Sequence, residues 1–144
     1  MRPPISRRAH AVAEFTFIPT VAAAPELFGF ADEKVAATAC RALSGAALAS
    51  SAVTRAEWGL VRVMPYSAHV AVDIASGLMA LAAPWLCGFA GNARARNTFL
   101  AIGATAVVAG LLSLPAEEMP ADAPLTPLGD GDEVADRLRH LVGR

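Results

Sequence analysis

The sequence predicts an all-α fold, a membrane four-helix bundle made of two repeated transmembrane helical hairpins. The first observation behind this prediction is composition: of 144 residues, 55% are hydrophobic and 17% charged, and the mean hydropathy is +0.45. Soluble domains average roughly 45–50% apolar and about 25% charged residues, so the bias favours a membrane environment. The second observation is a set of four apolar segments, and the third is an internal repeat.

The four apolar segments cover residues 9–24, 35–53, 67–83 and 98–114. A membrane-spanning helix needs about 20 residues, with a range of roughly 17–25. The last three segments meet that length when their interfacial ends are included, whereas the first is short and contains Pro19. No segment alternates apolar and polar residues with period two, and alanine is a strong helix former, so we expect helices rather than strands.

An internal repeat relates the two halves of the chain at an offset of 59 residues. Residues 24–31 and 83–90 are identical at six of eight positions. The same offset aligns two chemically similar pairs: His10 with His69, and Glu14 with Asp73. Because each repeat holds an even number of spans, the repeats keep the same orientation and should be related by a pseudo-two-fold axis along the membrane normal.

The repeat divides the chain into five parts. These are a basic N-terminal segment (1–8), the first hairpin repeat (9–53), a connecting loop (54–66), the second hairpin repeat (67–114) and an acidic, proline-rich tail (115–144) with a short helix over 132–142.

Basic residues in the short loops predict the orientation, because cytoplasmic loops are enriched in them. One side of the bundle carries Arg2, Arg7, Arg8, Arg55 and Arg62, and the other carries Lys34, Arg94 and Arg96. We therefore expect a multi-pass protein of the bacterial inner membrane with both termini in the cytoplasm. The lipid bilayer is its first partner, and a homo-oligomer or a larger membrane complex is a further expectation.

A short motif resembles a known family. Residues 83–89 read Ala-Pro-Trp-Leu-Cys-Gly-Phe, preceded by His-Val-Ala-Val-Asp at 69–73 and followed by a glycine-containing apolar helix. This arrangement looks like the SPW-repeat integral membrane proteins of bacteria, named for a Ser-Pro-Trp motif that closes the first helix of each hairpin. The resemblance covers about residues 9–114 and implies a membrane fold without an established reaction. The first copy reads Ala-Pro-Glu at 24–26 and lacks the tryptophan.

The motif has a predicted structural role at the corner of each hairpin. Proline at or just past a helix end stops the helix, and glycine supplies a positive φ for the turn. Trp85 and Phe89 suit the headgroup zone, where aromatic rings anchor helices. The residues predicted to build the corners are Pro25, Gly29, Phe30, Pro84, Trp85, Gly88 and Phe89.

Four ionisable residues are candidates for chemistry, because such groups inside membrane segments are costly and often functional. His10 and Glu14, like His69 and Asp73, are spaced i, i+4 and share a helix face. The favoured interpretation is structural, as each pair lies near a helix start. The alternatives are a divalent metal bound by all four residues, a haem held by the two histidines, and proton transfer.

Arg41 is a further intramembrane charge, about two turns into the second segment. An isolated guanidinium is costly in lipid, so we expect an ion pair, with Glu14 as the candidate partner.

The leading functional prediction is a non-enzymatic structural or accessory membrane protein with no cofactor. A net charge of −1 without a basic stripe argues against nucleic-acid binding. No hydrolase elbow, phosphate loop or dinucleotide fingerprint is present, and the two cysteines form no CxxC motif. The alternatives are a haem- or metal-binding protein that uses His10 and His69, a small transporter or channel acting as an oligomer, and a soluble alanine-rich bundle.

Overall fold

The computed structural model describes residues 4–114, 116 and 118–120. Its four helices are α1 (Arg7–Leu27), α2 (Lys34–Val53), α3 (Tyr66–Leu86) and α4 (Ala93–Ser113). These described residues contain no strand, so the predicted all-α, four-helix fold is confirmed. The helices extend beyond most of the predicted apolar segments, because basic residues lie in the first turns of α1, α2 and α4, and because α1 and α3 continue to Leu27 and Leu86. Arg2, most of the C-terminal tail and its predicted helix over 132–142 lie outside the described residues.

Each hairpin is a closely packed helix pair, and the two hairpins touch more lightly. The extensive contacts join α1 to α2 and α3 to α4, and smaller contacts join α1 to α4 and α2 to α3. Exchanging the two hairpins converts the α1–α4 contact into the α3–α2 contact. This is the pattern that a two-fold relation between the repeats produces.

The second hairpin brings two helix backbones into direct contact at glycine. A Cβ built on Gly77 would lie 2.9 Å from the carbonyl oxygen of Gly103, and one built on Gly103 would lie 2.6 Å from that of Gly77. Small residues permit this close approach between membrane helices. Gly45 of α2 has no atom within 4 Å of its built Cβ, so it makes no such contact. At the offset of 59, Gly77 and Gly103 correspond to Ile18 and Ser44, and the Ser44 hydroxyl donates to the Ile18 carbonyl at 2.8 Å.

Each hairpin turns at a glycine rather than at its proline. Gly29 and Gly88 have φ values of 68° and 79°, in the left-handed region that glycine enters without strain. Pro25 and Pro84 lie inside α1 and α3, two residues before each helix ends. The prediction that proline stops the helix is therefore wrong. Proline removes its own N–H bond to the preceding turn, and the residues after it remain helical here.

An apolar core lies at the corner end of the bundle. Phe30 and Phe89 are both 2% exposed, and the Phe89 ring lies 4.9 Å from that of Phe99. Phe89 therefore does not face lipid headgroups as predicted, because the glycine turn folds it inward onto α4. Trp85 is 60% exposed, which leaves its ring available to the interface.

Two of the helices are long and apolar enough to cross a membrane. They are α3 and α4, each with 21 residues and a mean hydropathy of 1.4 over the best window. The first hairpin does not meet that criterion, since α1 contains Glu14 and Glu26 and α2 contains Arg41.

Candidate functional site

The candidate site lies at the end of the bundle opposite the hairpin corners. His10 is the fourth residue of α1 and His69 the fourth residue of α3, so both lie one turn inside their helices. Their exposures are 6% and 2%, respectively. The Ser6 hydroxyl caps α1 by accepting from the N–H of Ala9 at 3.2 Å, which fixes the start of that helix.

The two predicted His–carboxylate pairs meet across the bundle. His10 Nε2 lies 3.1 Å from Asp73 Oδ2, and His69 Nε2 lies 3.3 Å from Glu14 Oε2. His69 Nε2 also lies 3.2 Å from Asp73 Oδ2 on its own helix. The imidazole centroids are 5.6 Å apart and nearly perpendicular. All four residues form one cluster between the hairpins, which a set of separate intrahelical pairs would not give.

Two serines from the other two helices contact the Nδ1 atoms of the histidine rings. Ser113 Oγ of α4 lies 2.9 Å from His10 Nδ1, and Ser50 Oγ of α2 lies 2.9 Å from His69 Nδ1. The sequence reasoning missed both as site residues. The available signal was their place in the last turns of α2 and α4, which antiparallel pairing brings beside the first turns of α1 and α3.

The hydrogen bonds of Ser113 favour the tautomer of His10 that carries its proton on Nδ1. The Ser113 hydroxyl donates to the carbonyl of Ala109 at 2.7 Å, so its single proton is already used. Ser113 Oγ therefore accepts from the Nδ1–H of His10. In neutral His10 the lone pair on Nε2 then faces Asp73 Oδ2, another lone-pair atom. A proton or a metal ion between these two atoms is needed to make this contact favourable.

Glu14 contributes a second unsatisfied group. Its Oε1 atom is buried and has no hydrogen-bond partner among the described residues, while Oε2 contacts His69. A buried carboxylate oxygen without a donor costs free energy, so such atoms usually have a partner. The cluster is therefore short of positive charge or of hydrogen-bond donors on the Glu14 side.

Arg41 pairs with Glu26 at 2.5 Å, which corrects the predicted partner Glu14. Arg41 lies about two turns into α2, and the antiparallel hairpin places that level beside the last turn of α1. Glu14 is at the opposite end of α1. The corresponding residues of the second repeat are Trp85 and Leu100, so an apolar pair there replaces the ion pair of the first.

The loop between α2 and α3 lies beside the cluster, since Trp58 lines a small pocket together with His10 and His69. Glu57 accepts hydrogen bonds from Arg7 at 2.9 Å and from Arg8 at 3.4 Å, which ties the loop to the start of α1. Burial acts to raise the pKa of Glu57, but the hydrogen bonds from Arg7 and Arg8 outweigh it and hold the pKa below its ordinary value. The ring of Trp58 packs 5.1 Å from that of Phe15.

Glu118 caps the start of α3, although it lies far from this helix start in the sequence. Its carboxylate accepts from the backbone N–H groups of Tyr66 at 2.8 Å and Ser67 at 2.7 Å. Pro65, at the N-cap, makes no side-chain cap of its own. Slight burial acts to raise the pKa of Glu118, and the hydrogen bonds at the helix start lower it overall.

A cleft of about 370 Å³ runs from the cluster into the space between the hairpins. All four helices contribute to its wall, which is mainly apolar. His10, Glu14 and Asp73 line the polar end, and Val21 and Ile102 line the end towards the apolar core. The cleft is partly open to the outside, so a molecule could enter it without unfolding a helix.

The chain was compared with known protein families, curated proteins and solved structures. A family model described as SPW repeat domain matches residues 8–113, which is most of the chain and includes all four helices. No curated protein and no solved structure matches the chain.

Proposed function

Because this chain belongs to the SPW repeat family, we propose that it is a four-span protein of the bacterial inner membrane that binds a divalent transition-metal ion. Family membership and the two apolar helices support a small membrane protein. The proposal adds that α1 and α2 also span and that both termini are cytoplasmic. It assigns the protein no reaction of its own, and the metal joins the two hairpins.

The lengths and charge pairings of α1 and α2 support spanning. They contain 21 and 20 residues, which corresponds to about 30 Å of helix, the thickness of the hydrocarbon core. Glu14 contacts His69 inside the bundle, and Arg41 is neutralised by Glu26 near the hairpin corner. These intramembrane ionisable groups of α1 and α2 are thus paired with another ionisable group, as intramembrane charges usually are.

The observation that carries the metal proposal is the convergence of three ligand atoms. One atom each from His10, His69 and Asp73 lies within 4.8 Å of the other two. Ligands about 2.0–2.2 Å from a tetrahedral Zn²⁺ lie roughly 3.3 Å from one another. The contacts from Asp73 Oδ2 to the two Nε2 atoms measure 3.1 and 3.2 Å, so small shifts would admit an ion.

The partners of the ligands also fit a metal. A ligating histidine usually donates its other ring N–H to an oxygen, which fixes the ring. His10 does so to Ser113, and the metal would take the Nε2 lone pair that now faces Asp73. Two carboxylates and two neutral imidazoles carry a charge of −2, which a divalent ion cancels. Neutrality matters here because an unbalanced charge is costly inside a membrane.

The same geometry favours a metal ion over a haem. A haem held by two histidines would need its iron between the two Nε2 atoms. Asp73 Oδ2 occupies that place, at hydrogen-bond distance from both. A carboxylate between two imidazoles suits a divalent cation, which accepts mixed nitrogen and oxygen ligands.

The test is zinc binding by the purified full chain. The protein is prepared in detergent, stripped with a chelator and titrated with Zn²⁺ against a chromophoric competitor. We expect one tightly bound ion per chain, and a loss of at least roughly a hundredfold in affinity in Asp73→Asn, because loss of even an outer-shell partner costs about 10–100-fold. Glu26→Gln is the control, since it removes a carboxylate outside the cluster. Equal affinities in Asp73→Asn and the parent chain, or no stoichiometric binding, would overturn the proposal.

A further inference from the structure

We propose that the cleft binds a single-chain fatty acid, with its chain between the hairpins and its carboxyl group at the metal. This inference deepens the proposed function and rests on it for the metal. The cleft volume of about 370 Å³ is in the range of natural ligand pockets, roughly 300–1,000 Å³, and at its small end. It suits one hydrocarbon chain rather than a whole diacyl lipid.

The wall of the cleft is mainly apolar, and the bundle itself engages three of its five hydroxyl side chains; the other two belong to Ser76 and Thr105. Thr16, Thr20 and Ser44 line it, but each hydroxyl donates to a backbone carbonyl of the bundle, at 2.7, 2.7 and 2.8 Å. None of these protons is left for a ligand. A molecule in this part of the cleft therefore meets surface suited to a hydrocarbon.

The length and direction of the cleft match one leaflet of a bilayer. Along α1 the cleft extends from His10 to Val21, eleven residues, which corresponds to about 16 Å of helix. Half of the hydrocarbon core of a membrane is roughly 15 Å thick. The polar end lies one turn inside the helix starts, near the headgroups, and the apolar end at Val21 lies about one turn past the middle of α1. A fatty acid would thus enter in the orientation that it already has in the leaflet.

The polar end fits a carboxylic acid group. His10, His69 and Asp73 supply three ligands, and a tetrahedral ion keeps a fourth position for an oxygen from outside. Glu14 lines the same end, and its Oε1 atom, which is buried behind the wall, lacks a donor, so the side chain must turn towards the cleft to meet a ligand. A carboxylic acid can fill both needs, since one oxygen binds the metal and its acidic O–H donates to Glu14. The acid brings its own proton, so the charge balance of the metal-loaded site is unchanged.

The test uses zinc-loaded full-length protein in nanodiscs and a fluorescent polyene fatty acid as the probe. We expect saturable, one-to-one binding that is weakened by roughly tenfold or more, the scale of one lost favourable contact, when the methyl ester replaces the acid. Ala47 lines the cleft, so Ala47→Leu should abolish binding by filling it. Ala49 is exposed on the same helix outside the cleft, and Ala49→Leu should bind normally.

Zinc content is measured on the same samples, so that the two proposals fail separately. Zinc present without saturable fatty-acid binding would overturn the ligand and leave the metal site intact. Equal binding by Ala47→Leu and Ala49→Leu would overturn the cleft as the binding place. Equal binding of acid and ester would overturn the carboxyl–metal contact. Zinc absent from every sample would remove the proposed function and the head-group assignment with it.

Discussion

The contact between α3 and α4 predicts that adding one methyl group has opposite effects in the two repeats. In Gly103→Ala the new Cβ would lie 2.6 Å from the Gly77 carbonyl oxygen and 2.7 Å from Leu81 Cγ, so the helices must separate. Overpacking of this kind costs about 1–3 kcal/mol. In Gly45→Ala the Cβ meets nothing within 4 Å. Both variants gain up to about 1 kcal/mol of helix propensity, so their difference isolates the contact.

The assay is unfolding of the full chain in mixed micelles as the denaturing detergent fraction rises, followed by circular dichroism. Gly45→Ala should be as stable as the parent chain or more stable, and Gly103→Ala should be less stable than Gly45→Ala by about 1–3 kcal/mol. If the two variants unfold at the same detergent fraction, α3 and α4 are not in backbone contact. The close approach at Gly77 would then be wrong.

Three further predictions concern the two ends of the bundle. Cys87 is exposed at the hairpin corner and Cys40 is buried. With both termini in the cytoplasm, a membrane-impermeant maleimide should label Cys87 in intact spheroplasts. Labelling only after lysis would mean that the orientation is the reverse. The pKa of Glu57 is lowered on folding, so its stabilising contribution is present above the ordinary value of 4.5 and is lost as the pH falls through the lowered value. Glu57→Gln should therefore flatten the acid limb of the stability profile, and an unchanged limb would exclude Glu57 as its source. Glu26→Trp and Arg41→Leu should each destabilise the protein slightly, by up to about 1 kcal/mol, because each breaks an exposed ion pair. The double variant should regain the parent stability, because it has the apolar residues of the second repeat at both positions. Additive losses would refute the structural equivalence of the two positions in the two repeats.

The helices were predictable because length, hydropathy and the repeat all indicate the same four segments. The corner geometry was only half predictable. Glycine at Gly29 and Gly88 follows from the need for a positive φ after a helix. The continuation of the helix past Pro84 does not follow from local rules, which leave open how many helical residues come after a proline. The inward position of Phe89 depends on how that turn packs onto α4.

The cluster was partly predictable, because the i, i+4 spacing and the repeat together place four ionisable residues at one level. The supporting groups were not, since Ser113 reaches His10 through the contact of α4 with α1 and Ser50 reaches His69 through the contact of α2 with α3. The error over Arg41 has the same origin. Its partner is set by which turn of α1 lies opposite, and composition carries no information about that register.

The two repeats differ at the hairpin corner and in their helix packing, but both keep the residues of the cluster. The first hairpin has exchanged the Trp85–Leu100 pair for Glu26–Arg41. It also lacks the backbone contact at glycine that joins α3 to α4, since nothing approaches its own glycine in α2. The His–carboxylate pair, however, is present in both repeats, and each hairpin supplies one histidine and one carboxylate to the cluster. A single hairpin could not assemble this site. The cluster is therefore the feature that requires the duplication, and metal loading should report on the docking of the two hairpins.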